Sequence, residues 1–417
     1  MKRVVVIGAS QAGLLAMKTL ARQCPSSVSL SAHLISPNDF AYFNIASPRL
    51  LVQPELLHKV LFNIQDILKN LNHNSKDQFT FTQGSVSDIN LDKRKIYLHK
   101  SLVPIEYDAL IIASGNRMDS LAFKLSNIQS QHHTIREIQS LSKKIRSANS
   151  IAVIGGGTTG VEIAGELTNN RKFTKKVTLY TGQESPLAEF ESCHRKKGID
   201  RLNKLGVEII NNEMVKIIED NTAVKLQDGT VKKYSVVIPA YRSIPNSEFL
   251  PSSVLSKRGY LDTDEYFRLK NYHEVIGLGD ILDCGKKSSL DLFYAQKQVF
   301  EATVAHEIFE KKDIKLKKYE PVQTDKSFVV PIGRDGGVAA IWNIPLPKFV
   351  VKQFKAKDFL IPKAKLQMEN NLGRFPLLEV PHQPRNWVNS LFHNNKLESH
   401  NSSGLHLWDV SVPRNCP

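Results

Sequence analysis

An α/β fold with more than one parallel-sheet domain is what this sequence predicts, and three observations predict it. Two stretches, "VVVIGASQAG" at 4–13 and "IAVIGGGTTG" at 151–160, each set an apolar strand before a glycine turn and a helix-spaced apolar run after it. They lie about 147 residues apart, from Gly8 to Gly155. A third strand, in "HEVIGLGD" at 273–280, ends in Gly-Asp and leads into another helix-like run. At 417 residues, with 41% hydrophobic and 23% charged, the chain has the length of two or three domains and a globular rather than fibrous or disordered composition.

Taken in order, Val4 to Ile7 is a buried-strand run, Gly8 to Gly13 turns the chain, and Leu14, Leu15, Met17, Leu20 and Ala21 recur at helical spacing. A second strand is expected near Ala32 to Ser36. Residues 78–114 read as the short strands "FTFTQGSVSDI", "RKIYLH" and "YDALIIASG". Strand, turn and helix repeat at 149–167, followed by a strand from Lys176 to Tyr180, a helix carrying "GIDRLNKLG", and the alternating "VEII", "TAVKLQDGT" and "KKYSVVIPAY". A helix is expected from about Asp291 to Phe309. Residues 325–367 are apolar and basic, with a glycine turn at Gly333 to Gly337. From roughly Asn370 the chain is polar and weakly periodic, the composition of a poorly ordered tail.

Charge and cysteine usage narrow the function classes. The net charge is +15, but the lysines sit in scattered pairs such as Lys143-Lys144, Lys196-Lys197 and Lys317-Lys318, beside no zinc-finger, helix-turn-helix or aromatic RNA-binding motif. Specific nucleic-acid recognition is therefore not expected; a surface that favours anionic small molecules or an anionic membrane is. Cys24, Cys193, Cys284 and Cys416 show neither CxxC nor C-x4-C spacing, so no zinc site, redox dithiol or disulfide framework is expected. Met1-Lys2-Arg3 runs straight into the first strand, Lys2 stands where N-myristoylation needs glycine, and no apolar run approaches the roughly 18 residues of a membrane span. A cytosolic chain is the expectation, and the sequon at Asn401 carries no weight without a leader.

In the second turn Gly155, Gly157 and Gly160 complete the Gly-x-Gly-x-x-Gly pattern. The first glycine permits the tight turn, the second lets pyrophosphate approach the backbone, the third lets helix pack on strand, and the helix N-terminus attracts phosphate. Nucleotide binding follows from these glycines with the strand and helix around them. An acid at the end of the next strand would accept from a ribose 2′-hydroxyl, and an arginine would pair a 2′-phosphate. Thr181 stands there and selects neither; Glu184 is a nearby acid. In the first turn Gly8 and Gly13 remain, but Ser10 takes the place of the middle glycine, giving up some closeness to phosphate and adding a hydroxyl donor. The following strand ends at Ser36, again without an acid. A turn used only for packing is the alternative.

In this order the motifs resemble the two-dinucleotide-binding-domain flavoproteins. The resemblance runs from residue 4 to about 365 and rests on the two glycine turns, "YDALIIASG" at 107–115, "IPNSEFLP" at 244–251, "RGYLDTDEYFRL" at 258–269 and "VIGLGD" at 275–280. Within it, "FAYFNIASPRLLVQPEL" at 40–56 and "IGRDGGVAAI" at 332–341 are similar to apoptosis-inducing-factor-like, or ferroptosis-suppressor-like, NAD(P)H:quinone oxidoreductases, particularly fungal ones.

That resemblance implies two Rossmann-like, three-layer ββα domains. An NAD(P)H domain at 119–254 is inserted in an FAD domain of residues 1–118 and 255–324, followed by a C-terminal region at 325–369 and a disordered tail at 370–417. FAD would lie on Gly8, Ser10, Gln11, Ala12 and Gly13, with Ser36, Val86, Ala113, Ser114 and Gly115 beside it. Asp280 would hydrogen-bond the ribityl chain, its alternative being a helix N-cap. Arg49 would lie near the flavin or its phosphates, its alternative being a surface arginine. NAD(P)H would lie on the second turn with Thr158, Thr159 and Thr181. Glu162 would face the nicotinamide as the candidate catalytic side chain; its spacing fits equally a first-turn acid complementing the helix dipole. Tyr294 and Gln296 lie on the helix that would approach the flavin and the quinone pocket, their alternative being core or surface packing.

The implied reaction passes hydride from NAD(P)H to FAD and electrons onward to a quinone-type acceptor. The cofactors carry that chemistry, so no metal or nucleophile is needed. Without a C-x4-C pair after the first turn, electrons leave the flavin directly. Departures from the pattern are Ser36, the tail, and Arg242, which stands where relatives usually have glycine close to the pyridine nucleotide. The segment 345–366 mixes apolar residues with six lysines, as a membrane-surface segment does, and the family works at surfaces such as the mitochondrial outer membrane or lipid droplets; a lysine-fringed helix or strand that covers the core is the alternative. Two rival readings remain: a flavoprotein-derived cell-death signalling or DNA- or membrane-binding protein with little turnover, and an oxygen- or ferredoxin-linked reductase.

Overall fold

The computed structural model describes residues 1–73, 77–118, 120, 132–168, 175–241, 243–285 and 287–370. The apolar runs become the central strands of two parallel sheets. In the first, the strand order is Arg268–Leu269, Tyr272–Gly277, Ala109–Ile112, Lys2–Ile7, Leu30–Ser36, Gln78–Gln83. All pairs are parallel except the edge strand Arg268–Leu269. Lys2–Ile7 is central and Val4 to Ile7 are buried, which is why that run is apolar without alternation. Its two neighbours lie on opposite sides of it, Leu30–Ser36 on one and the later strand Ala109–Ile112 on the other, so the chain first builds the sheet outward one way and then returns to build it the other. Such a reversal of strand order opens a crevice at the carboxyl ends of the strands.

The second sheet has the order Val207–Ile210, Lys176–Tyr180, Ser150–Ile154, Val236–Pro239, all parallel. The chain leaves the first sheet after Ala109–Ile112, builds the second, and returns as the edge strand Arg268–Leu269 and then Tyr272–Gly277. Asn116–Met118 and Ser243–Pro245 pair antiparallel where it crosses out and back. The helix carrying "GIDRLNKLG" starts earlier than its sequence pattern suggested, at Ser192. Its apolar spacing is sparse, with only His194, Gly198 and Leu202 buried.

After the run of helical segments from Ser289–Asp291 to Val304–Ile308, the hairpin strands Phe328–Pro331, Gly337–Ile341 and Ile344–Pro345 form a small antiparallel sheet. It packs on the second turn's helix, Thr158–Thr168, so closely that a Cβ on Gly165 would stand 2.6 Å from the Gly333 nitrogen. Of the two readings of segment 345–366, the structure shows mainly the cover over the core: Val351, Ala356, Phe359, Leu360, Ile361 and Ala364 are buried, while Phe349 and Leu366 are exposed. Among the described residues no helix is long and apolar enough to cross a membrane. The tail from 371 onward lies outside the described residues.

Lys18, on the helix Gln11–Gln23, ties this cover to the first sheet. Its Nζ donates to the carbonyls of Met368 (3.0 Å) and Glu369 (2.7 Å), and burial pushes its ammonium down to about 8. Between about pH 8 and the unfolded value of 10.5, the unfolded chain binds the proton that the folded chain has lost, so stability contributed at this site rises with pH there. Measured against Lys18→Met, the unfolding free energy of the wild type is expected to gain between pH 8 and pH 10; a difference that falls or stays level would refute this.

Candidate functional site

The carboxyl ends of the first sheet open on a cleft of 1740 Å³, larger than the roughly 300–1,000 Å³ that one small ligand fills. The first glycine turn forms part of its wall. Gly8 has φ +104°, and a Cβ there would stand 2.3 Å from the Ala113 carbonyl oxygen; one on Gly13 would stand 1.6 Å from that of Gly8. The helix Gln11–Gln23 can therefore begin hard against the strand end, with Ser10, Gln11 and Ala12 on the cleft wall. Ser10 makes no capping bond to that helix. In the second turn a Cβ on Gly160 would lie 1.9 Å from the Gly155 carbonyl oxygen, whereas one on Gly157 would meet nothing within 4 Å. The middle glycine thus faces the open space that a pyrophosphate needs, and the turns fit two dinucleotides.

Most of the residues assigned to the first nucleotide come together. Gly8, Ser10, Gln11, Ala12, Ser36 and Val86 line the cleft, as do Ala113, Ser114, Gly115 and Asp280. Gln11 is anchored on both sides, donating to Asn44 Oδ1 and accepting from the Ser289 hydroxyl. The Ser36 hydroxyl accepts from the Asn38 N–H at 3.3 Å, so this strand end offers a neutral polar group. Ser114 and Asn246 exchange side-chain to carbonyl hydrogen bonds of 2.7 and 2.8 Å, tying the strand-end turn to the crossing segment. The N-cap alternative for Asp280 falls away, because Ser288 caps the following helix by accepting from the Asp291 N–H.

Other residues lie away from the cleft wall. Arg49 is neither at the surface nor on the cleft wall: it is 3% exposed and its guanidinium pairs with Glu166, Nε to Oε2 at 2.5 Å and Nη2 to Oε1 at 3.1 Å. Thr181 is buried, its hydroxyl accepting from the Gln183 N–H and donating to the Ser185 carbonyl, so it is spent inside its own turn rather than on a ribose. Glu184 pairs with Arg195. Gln296 is buried as well, its Oε1 accepting from the Gly279 N–H and its Nε2 donating to Asp291; it braces the turn behind Asp280. Neither it nor Tyr294 is on the cleft wall, where Ser289, Leu290 and Leu292 stand instead. Arg242 lies outside the described residues.

Among the residues assigned to the second nucleotide, Thr158, Thr159 and Glu162 line the cleft. Glu162 lies beyond the first turn of its helix, so the helix-dipole reading does not apply. Its Oε1 accepts from Lys355 Nζ at 2.6 Å, with side chains 9% and 19% exposed. Burial pushes the Glu162 carboxyl above the usual carboxylate range, and Lys355 pulls it back. Lys355 also lines the cleft, although in the sequence it is one lysine among the six of 345–366. Its partner is 193 residues away, and no local pattern marks such a pairing.

The family model of the pyridine nucleotide-disulphide oxidoreductases matches residues 2–307. Oxidoreductase ptaL of Pestalotiopsis fici is 26% identical over 373 residues, covering 87% of this chain and 98% of that protein. Ferroptosis suppressor protein 1 of Mus musculus is 25% identical over 371 residues, covering 86% and 93%. The sulfide:quinone oxidoreductase of Aquifex aeolicus shares the fold, with a TM-score of 0.64 at 17% identity over 89% of this chain and 92% of that one. A match that spans both glycine turns and the Gly-Asp strand means that this chain belongs to the pyridine nucleotide-disulphide oxidoreductase family, as an oxidoreductase that works with FAD and NAD(P)H.

Proposed function

We propose that the enzyme hands electrons from NAD(P)H, by way of FAD, to a quinone-type acceptor, and that it does so at an anionic membrane surface. The observation that carries the acceptor is the apolar wall the C-terminal region adds to the cleft: Val330, Ile341, Leu346, Phe354 and Leu360 line it. Such a wall desolvates a flat ring with an apolar tail and offers little to a charged acceptor. The Aquifex aeolicus neighbour acts, by its name, on a quinone. Bound FAD supplies the two-electron relay between donor and acceptor. Electron transfer draws negative charge onto a quinone's oxygens, and Lys355, paired with Glu162, places a cationic side chain on the cleft wall.

The membrane arm of the reading rests on the hairpin tip. Trp342 and Asn343 both have positive φ, +49° and +63°, a turn conformation that favours Asn and Gly and disfavours a bulky ring. Trp342 is 40% exposed, with Ile344 at 50% and Phe349 at 67% beside Lys348. Aromatic and basic side chains together suit the interface of an anionic bilayer, such as a mitochondrial outer membrane or a lipid droplet.

Anaerobic NADH or NADPH is expected to bleach the bound flavin, and a short-chain ubiquinone analogue to restore its colour far faster than oxygen or a ferredoxin does. Restoration by oxygen or ferredoxin at an equal or higher rate would overturn the acceptor. The enzyme is expected to float with phosphatidylserine-containing vesicles and Trp342→Ser/Phe349→Ser to stay behind; equal flotation would remove the membrane arm.

A further inference from the structure

The buried arginine of the first domain is a fixed point for the charged pair in the cleft. Arg49, in the short helix Ser47–Leu50, spends its guanidinium on three groups. Glu166 takes Nε and Nη2, the Ala356 carbonyl takes Nη2 at 2.8 Å, and the Lys357 carbonyl takes Nη1 at 2.9 Å. Side-chain exposure is 4% for Arg49 and 1% for Glu166. Glu166 follows Glu162 by four residues on the helix Thr158–Thr168, hence on the same face. Ala356 and Lys357 directly follow Lys355 in the chain. The Arg49 guanidinium and the Lys355 ammonium also stand over one ring, that of Phe359, at 5.2 and 5.7 Å from its centroid.

One side chain from the first domain thus grips the chain on the far side of Lys355 and the acid one turn beyond Glu162. We propose that Arg49 is a positioning residue, which holds Lys355 against Glu162 and fixes both relative to the first nucleotide's wall. Its grip requires a guanidinium: an ammonium cannot span both carboxylate oxygens and two carbonyls in a planar fork. The pair joins segments from three parts of the chain, so a small tilt of the second domain or of the C-terminal cover would separate Lys355 from Glu162. Misplacement of about 1 Å at a reacting centre costs on the order of 100-fold in rate. The inference rests on the reading of Glu162 and Lys355 as the charged pair beside the reaction.

Stability and positioning separate in the double variant Arg49→Met/Glu166→Leu, because replacing a buried ion pair by apolar side chains of similar volume is often neutral for stability. Stopped-flow reduction of the FAD-loaded enzyme by NADH is expected to fall about 10-fold or more at saturation. The NADH concentration for half-maximal rate should change less than about threefold, and the flavin content not at all. Arg49→Lys is expected to fall between the double variant and the wild type. An FAD-loaded double variant that is reduced at the wild-type rate overturns the proposal, and so does one that loses FAD on purification, since that would return Arg49 to the flavin site. Lys355→Met tells this failure from that of the underlying reading. If Lys355→Met is reduced as fast as the wild type, the charged pair is not beside the reaction; if it is slowed while the double variant is not, the positioning role alone fails.

Discussion

Alanine at Gly160 is expected to leave a yellow protein that NADH and NADPH bleach at no more than about one hundredth of the wild-type rate. The added Cβ would stand 1.9 Å from the Gly155 carbonyl oxygen, a distance that backbone atoms cannot accept. The helix Thr158–Thr168 must therefore move off the strand Ser150–Ile154, carrying Thr158, Thr159 and Glu162 out of the cleft wall. The first turn is untouched, so FAD stays bound and dithionite still bleaches it. Alanine at Gly13 is the mirror case: its Cβ would stand 1.6 Å from the Gly8 carbonyl oxygen, and the protein is expected to purify without colour. Absorption at the flavin band before and after each reductant reads both results. Full reduction of Gly160→Ala by NAD(P)H would mean that the second turn is not where the nicotinamide coenzyme sits.

Glu166→Ala is expected to cost about 3–5 kcal/mol of unfolding free energy, because it leaves the Arg49 guanidinium charged, buried and without its carboxylate. The size of the effect comes from what is stranded rather than from what the pair contributes: two carbonyls and the face of the Phe359 ring remain around a cation that is 3% exposed. Denaturant unfolding at saturating FAD, so that ligand binding is held constant, measures it. A loss under about 1 kcal/mol, the range of an exposed pair, would show that water reaches the guanidinium and that the three segments are not closed around it.

The strands Lys2–Ile7 and Ser150–Ile154, the glycine turns after them, and the strand Tyr272–Gly277 were legible in the amino-acid sequence, whereas the return of that last strand to the first sheet was implied only by the family resemblance. Each is a local pattern: an apolar run buried on both faces, a glycine spacing imposed by backbone contacts such as Gly8 on Ala113, a strand ending in Gly-Asp. The sequence misjudged Thr181, whose place in the chain suggested a ligand contact but whose side chain braces its own turn, and for Gln296 it left packing and a ligand contact both open, of which the structure shows packing. Nothing in the sequence set Lys355 apart from the other five lysines of 345–366, yet it alone of Lys352 and Lys355 lines the cleft, while Lys352 pairs with Asp335 at the surface.

What the sequence by itself determined is the framework, two nucleotide cradles on two parallel sheets, because steric demands and hydrophobic periodicity act between residues that are near in the chain. Only the tertiary structure decided which charges meet. Arg49 finds Glu166 across 117 residues and Glu162 finds Lys355 across 193. A buried cation and anion have no period and no required spacing; they are paired by the domain packing that removes both from water, and that packing is visible only once the chain is folded.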